Sequence, residues 1–529
     1  MKTISNPVLS GFNPDPSILR LGEDFYIATS TFQWFPGVAI HHSKDLVNWK
    51  LISHPLNRVS QLDLKGVPCS GGVWAPCLSY SDGVFYLIYT NAVAVDGWGF
   101  KDTHNYLVTA TDIHGEWSEP IYLNSSGFDP SLFHDNDGRK WLVSMLWDYR
   151  MGNNVKNLFG GILLQEFSLE EKRLIGEPVN IFKGSSIGIT EGPHLYKHNG
   201  YYYLMTAEGG TGIHHAVTMA RSKSIEGPYE IDPANPILTS RPDTTLVLQK
   251  AGHGCIVDMP NGEWYMAHLC ARPISTTGRC SLGRETAIQK MMWTEDGWFR
   301  LAHGGNNPLV EVEAPNLPEY KWEPEPTRDD FNSDRLNIHF ASLRIPLGED
   351  MLSLKERPGY LRLKGKESLI STHKQSLIAR RQQSFQYSAS TCVEFEPGNF
   401  QQMAGLICLY DRRNFYYLRI SNDEKLGKCI GIVAAQNIAF SQPVHDVSIE
   451  GWDRVYLEVT VDYDQLQFYY SRDEETWVPI GPVLDASTLS DEFNNEMAFT
   501  GAFVGICCQD MSGKDKHADF DWFEYVERK

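Results

Sequence analysis

Short apolar and aromatic runs, each preceded by a turn, dominate the first part of the chain. Phe25-Tyr26-Ile27 follows Gly22-Glu23-Asp24, and Phe85-Tyr86-Leu87 follows Asp82-Gly83. Trp141-Leu142 follows Asp137-Gly138, Tyr201-Tyr202-Tyr203 follows Asn199-Gly200, and Trp264-Tyr265 follows Asn261-Gly262. Asp-Gly and Asn-Gly suit tight hairpins, whose two central residues need positive φ. Ahead of each hairpin stands a related segment. These are Asn13-Pro14-Asp15-Pro16-Ser17, Trp74-Ala75-Pro76-Cys77, Phe128-Asp129-Pro130-Ser131, Thr190-Glu191-Gly192-Pro193 and Gly252-His253-Gly254-Cys255. With positions 15, 75, 129, 191 and 253 taken as equivalent, the steps are 60, 54, 62 and 62 residues. Five near-equal repeats, each a short apolar strand and a hairpin, predict the blades of a β-propeller over 1–312.

The pattern then changes. Residues 313–327, EAPNLPEYKWEPEPT, hold four prolines without periodicity and read as a linker or a surface strap. Beyond them come longer alternating runs, Ala404–Tyr410, Phe415–Ile420, Val455–Val461 and Leu466–Tyr470, which predict a β-sandwich over 328–529. Helix signals are weak throughout. The fold class is all-β.

Composition narrows the partners. At 529 residues the chain has room for two or three domains with buried cores. A net charge of −19 argues against nucleic acid or an anionic membrane surface as partner. The first residues lack a signal-type apolar stretch, and no run of about 18 apolar residues occurs. Ten cysteines lie scattered without a Cys-x-x-Cys pair. Together these features predict a cytoplasmic protein with reduced thiols. His134-Asp135-Asn136-Asp137-Gly138 lacks the acid an EF-hand needs six positions after its glycine, where Ser144 stands. Gly209-Gly210-Thr211-Gly212 lacks the Lys-Ser/Thr of a phosphate loop and reads as a tight loop near a pocket rim.

The repeat singles out its own chemistry. The first strand of a propeller blade lines the central axis, so Asp15, Ala75, Asp129, Glu191 and His253 should converge. Acids and a histidine are a costly core filling. Solvated strand ends are the bland alternative, and recurrence in phase with the repeat favours a site. Three carboxylates around one pocket suit glycoside hydrolysis, where one acid protonates the leaving oxygen and an ionised one activates water or attacks the sugar. A further carboxylate nearby raises the acid's pKa. Residue types alone do not assign the roles.

On these segments, with Gly72-Val73-Trp74-Ala75-Pro76 and Leu282-Gly283-Arg284-Glu285-Thr286, the chain resembles the β-xylosidases of glycoside hydrolase family 43 over nearly its whole length. The resemblance implies a five-bladed propeller followed by a concanavalin-like, jelly-roll sandwich. It implies Asp15 as general base, Glu191 as general acid and Asp129 as the residue that orients Glu191 and tunes its pKa, in an inverting displacement. It further implies Phe32 and Trp74 as walls of the xylose site, with blade-core packing as their alternative role. Arg284 would bind sugar hydroxyls and balance the carboxylates. His253 would lie near an axial, largely water-coordinated calcium, or be a satisfied polar residue, and no cofactor is required for the chemistry. Trp147, Thr211 and Arg58 are further pocket candidates. Phe503, in Gly501-Ala502-Phe503-Val504-Gly505, matches an aromatic that a sandwich loop presents to the second sugar, with sandwich core as its alternative. The substrates implied are xylo-oligosaccharides cut from the non-reducing end, with α-L-arabinofuranosides as the rival class and a non-catalytic sugar-binding protein as the remoter one. The assembly implied is a homodimer or homotetramer.

Overall fold

The computed structural model describes residues 2–528 apart from 96, 98, 152, 153 and 155–157. The chain forms two compact units. One holds Met1–Leu62, Gly71–Arg272 and Arg284–Trp322, and the other Asp63–Ser70, Pro273–Gly283 and Glu323–Lys529. Two short segments inside the propeller's sequence range therefore count with the second unit. The first unit also runs past residue 312. Glu311–Glu313 is a strand paired with Thr3–Ser5, the Tyr320 N–H donates to Asp45 at 3.0 Å, and Trp322 packs beside His42.

Five antiparallel blades make up the first unit. Their first two strands are Ser17–Leu21 and Asp24–Thr29, Gly72–Ser81 and Val84–Ala94, Ser131–His134 and Lys140–Trp147, Glu191–His198 and Tyr201–Glu208, and Gln249–Asp258 and Trp264–Ala271. Four blades have four strands. In the fourth blade the outer edge is split, because Glu230–Ile231 and Leu238–Thr239 both pair with Ala216–Ser222. First strands of successive blades adjoin, and the fifth returns to the first, so the ring is closed.

The turn chemistry works as expected at two blades. Asp82 and Gly83 take φ of 54° and 82°, and Asn199 and Gly200 take 46° and 79°, the backbone that a two-residue hairpin requires. Asp137-Gly138 and Asn261-Gly262 instead end longer loops, in which Gly138 N–H donates to Asp135 and Gly262 N–H to Met259. Asp135 is engaged by Lys197 at 2.5 Å and the Tyr202 hydroxyl at 2.6 Å, so the acidic run around it is a salt-bridged hairpin.

The seam between the fifth and first blades carries the closure. Asn6 exchanges hydrogen bonds with both backbone groups of Ile288 at 2.8 Å, and Leu9 bridges Thr286. Ile4, Leu9, Ile18, Phe25, Ile27, Val257, Ile288 and Val312 bury one cluster across that seam.

The second unit is a sandwich. One sheet runs in the order Leu352–Ser353, Leu361–Lys364, His517–Glu527, Gln386–Glu394, Val455–Asp462, Gln465–Ser471 and Val478–Asp485. The facing sheet contains Gly427–Gln436, Asn414–Asp423, Gln402–Asp411, Phe503–Asp510 and Ser376–Arg381 in that order. Alternate residues of both, among them Leu406, Leu418, Leu457, Phe468, Ile506 and Phe520, fill the space between. Among the described residues no helix is long and apolar enough to cross a membrane.

Because Ile288 is fully buried in the seam, Ile288→Ala should destabilise the first unit by about 2–5 kcal/mol. Urea unfolding followed by intrinsic fluorescence would show a lowered midpoint, and an unmoved midpoint would mean the seam does not limit stability.

Candidate active site

The backbone decides where the acids stand. Asp15, Ala75, Asp129, Gly192 and His253 all take φ between 35° and 56°. That is the left-handed region, which non-glycine residues seldom enter and which Asp tolerates better than most. Four of the five precede a proline (Pro16, Pro76, Pro130, Pro193), which closes the right-handed helical region to them. The equivalent position in the fourth blade is thus Gly192, and the equivalence drawn at Glu191 is corrected by one residue. Glu191 stands one step earlier, level with Trp74 and Phe128, at the start of a strand whose register shifts directly after it.

Gly192 has reasons to lack a side chain. A Cβ there would lie 3.0 Å from His253 Cε1 and 3.3 Å from the Ala207 Cβ. Its N–H donates to Asp129 Oδ2 at 3.1 Å. One hydrogen bond therefore ties the Asp129 carboxylate to the peptide that follows Glu191. Upstream of Glu191, buried Glu208 accepts from Ser185 N–H at 2.8 Å and from the Thr190 hydroxyl at 3.1 Å, which pins the approach to the strand.

Asp15 is held differently. Its Oδ2 accepts the Ser30 hydroxyl at 2.7 Å, and its Oδ1 lies 3.2 Å from Arg284 Nη1 and 3.9 Å from His253 Nδ1. Ser30 in turn accepts the Ala75 N–H at 2.8 Å. Arg284 Nη1 also donates to Thr211 Oγ1 at 2.9 Å, and the guanidinium sits 5.2 Å from the Phe32 ring centre. Burial pushes the Asp15 carboxyl up, but Arg284, His253 and Ser30 outweigh it and hold the group below the usual range. Burial also depresses His253 and His215. Arg284 leads the groups that hold Asp15 ionised, ahead of His253 and Ser30.

Glu191 goes the other way. Burial raises its pKa well above normal, the charges of Asp129 and Asp15 add to the rise, and Arg284 and Lys101 only moderate it. Asp129 is raised as well, first by burial and then by Asp15. Two acids buried together resist a second ionisation. The Gly192 N–H favours the charge on Asp129, so the shared proton belongs on Glu191. The cluster thus offers an ionised carboxylate at Asp15 and a protonated one at Glu191.

Aromatic rings form a continuous wall beside the acids. Ring centres are 5.6 Å apart from Phe12 to Phe32, 6.1 Å from Phe32 to Trp74, 5.3 Å from Trp74 to Phe128 and 6.1 Å from Phe128 to Trp147. Lys101 Nζ lies 4.8 Å above the Trp147 ring, whose indole N–H donates to Gly99 at 2.9 Å.

The structure brings Asp15, Asp129, Glu191, Arg284, His253, Thr211, Phe32, Trp74 and Trp147 into this connected group. It does not bring Arg58 there. That guanidinium pairs with Glu119 at 2.8 Å and Glu116 at 3.1 Å and donates to the Trp117 carbonyl, joining the first blade to the outer part of the second. Phe503 opens a strand of the second unit, buried, with the Arg381 guanidinium 5.9 Å from its ring centre. Ser30, His215, Lys101, Phe128 and Gly192 belong to the group without having been singled out in the sequence.

The side chains at His253 offer no direct oxygen cage, so a calcium there would be held largely through waters, as the resemblance implies. Calcium takes six to eight oxygen donors, while the neighbouring Asp15 already serves Ser30 and Arg284. Among the described residues no three His, Cys, Asp or Glu side chains gather as metal ligands.

Comparison with known proteins places both parts of the chain in a family. Residues 4–299 match the Glycosyl hydrolases family 43 profile, and residues 328–526 match the beta xylosidase C-terminal Concanavalin A-like domain. The chain belongs to glycoside hydrolase family 43 and is a glycosidase. A beta-xylosidase of Bacillus subtilis is 53% identical over 99% of this chain and 100% of its own length. Xylosidase/arabinosidase 43B of Humicola insolens is 49% identical over 99% of this chain and 98% of its own. The crystal structure of a xylan beta-1,4-xylosidase from Bacillus halodurans superposes with a TM-score of 0.97 at 55% identity, covering 99% of this chain and 100% of that one.

Two substitutions separate the acids' environments. Ser30→Ala removes a donor from Asp15 and should move the acidic limb of the kcat/KM profile to higher pH. Asp129→Asn removes the like charge beside Glu191 and should move the alkaline limb to lower pH. Profiles on a chromogenic glycoside test both, and limbs that stay in place would contradict the assignment of the two protonation states.

Proposed function

We propose that this chain is an exo-acting xylan 1,4-β-xylosidase that releases D-xylose from the non-reducing end of xylo-oligosaccharides with inversion. The observation that carries the reading is geometric: Ser30 and Arg284 hold Asp15, while Glu191 stands beside the Asp129–Gly192 hydrogen bond in the same cluster, in a chain similar over its full length to beta-xylosidases.

In this mechanism the terminal xylose packs an apolar face on Phe32 and Trp74. Asp15, ionised and aimed by Ser30 and Arg284, takes a proton from water as that water attacks the anomeric carbon. Glu191 gives its proton to the glycosidic oxygen, and the departing sugar leaves with it. Asp129 keeps Glu191 protonated until bond cleavage and, through Gly192, fixes its backbone. Inversion requires about 6.5–9.5 Å between base and acid, so that a water fits beside the sugar. The ten free cysteines, nine of them buried, suit a reducing compartment supplied with imported oligosaccharides.

The Humicola relative's name supports a second reading, added action on α-L-arabinofuranosides. Relative rates on the two nitrophenyl glycosides measure that balance.

Proton NMR of β-1,4-xylobiose during hydrolysis is the decisive test. α-Xylose should appear first, before mutarotation. Early β-xylose would replace inversion by a double displacement, and absence of xylose would overturn the substrate. Asp15→Asn and Glu191→Gln should each lower kcat by roughly 10²–10⁴-fold with the circular dichroism spectrum unchanged. Substantial turnover in both variants would remove the site assignment.

A further inference from the structure

We propose that Phe100 and Tyr149 form an aromatic platform that binds a pyranose ring in the leaving portion of the oligosaccharide; the inference rests on the glycosidase reading above and deepens it. Phe100 is 77% exposed and Tyr149 54% exposed. Yet their rings are in contact, with centres 4.9 Å apart and planes inclined by 65°. Two large rings open side by side make a small apolar patch, larger than the single exposed side chains common on protein surfaces. An inclined pair leaves one ring face free for the C–H face of a sugar.

Their place in the fold says which sugar. Phe100 lies between Gly99, which accepts the Trp147 indole N–H, and Lys101, whose ammonium covers the Trp147 ring. Tyr149 lies two residues beyond Trp147, on a short turn steadied by the Asp148 N–H to the Leu158 carbonyl and by the Asp148–Arg150 ion pair, both at 2.8 Å. The pair thus joins the second and third blades at the Trp147 end of the aromatic wall. Phe32, Arg284 and Asp15 stand toward the other end. Trp147 packs on Phe128, the residue before Asp129, whose carboxylate binds the Gly192 N–H next to Glu191, whereas Phe32 and Arg284 lie with Asp15. The platform therefore flanks the acid rather than the base. A group that donates its proton to the glycosidic oxygen must face the leaving sugar, so the ring received here belongs to the departing chain.

The test compares xylotriose, which carries leaving sugars, with β-xylosyl fluoride, which carries none. In the Phe100→Ala/Tyr149→Ala double variant, the ratio of kcat/KM for xylotriose to that for the fluoride should fall roughly tenfold, mainly through KM. A Phe100→Trp variant should keep the ratio, because an indole offers the same kind of face. An unchanged ratio in the double variant, or an equal loss on both substrates, would overturn the platform while leaving the proposed function standing. A wild-type enzyme that hydrolyses neither substrate would overturn the function, and the platform with it.

Discussion

A left-handed backbone residue just before or within the first half of every inner strand is the constraint on which this molecule's chemistry depends. It ends each approach to the axis with a sharp change of direction. That change lets a side chain or an N–H face the centre instead of the neighbouring strand. Five such kinks, four secured by a following proline, surround a space that ordinary strand geometry would fill with alternating apolar groups. Two of the five carry aspartates, one a histidine, one an alanine, and one nothing but hydrogen. The glycine matters as much as the acids. Because it has no Cβ, His253 can lie against it, and its N–H is the one that Asp129 accepts.

From that geometry the electrostatics follow. Two carboxylates enter through equivalent positions in different blades, but their surroundings differ. The first blade meets the fifth, whose Arg284 supplies a fixed cation, so Asp15 stays ionised despite burial. The third blade meets the fourth, which supplies only a peptide dipole and another acid, so the proton that cannot be shed stays on Glu191. Similar chemical groups are thus given unlike tasks by what the neighbouring blade contributes. The aromatic wall adds a low-dielectric side to the same space, and low dielectric sharpens both settings.

Much of this is legible along the chain, for identifiable reasons. Hairpin dipeptides before aromatic runs are local signals, and five copies make the propeller readable without a structure. Asp15 and Asp129 stand out because the proline that follows each is part of the same local device. Glu191 is harder to place. Its neighbour Gly192 holds the equivalent position, and a carboxylate beside a glycine draws the eye to the wrong residue of the two. The mark lies in the next residue: Pro193 follows Gly192 as Pro16, Pro76 and Pro130 follow the other three, so alignment on the prolines rather than on the acids places Gly192. Ser30 and Lys101 carry no pattern at all, since a hydroxyl at a strand end and a lysine in a loop occur everywhere. Arg58 shows the converse. An arginine read without its neighbours looks available to a ligand, while Glu116 and Glu119 already hold it.

The ring closure has a consequence for how the protein comes into being. Asp15 and Arg284 are 269 residues apart, and the Asn6–Ile288 hydrogen bonds span 282. During synthesis the first blade emerges long before the fifth, and its buried aspartate has no cation to face until nearly the whole first unit has left the ribosome. Contacts of such long range are slow to form, since chain entropy opposes closure until many are made together. The ionised state of Asp15 is therefore among the last features the chain acquires. A nascent or truncated propeller would hold an uncompensated acid at its axis, a built-in penalty against any compact form that lacks the final blade.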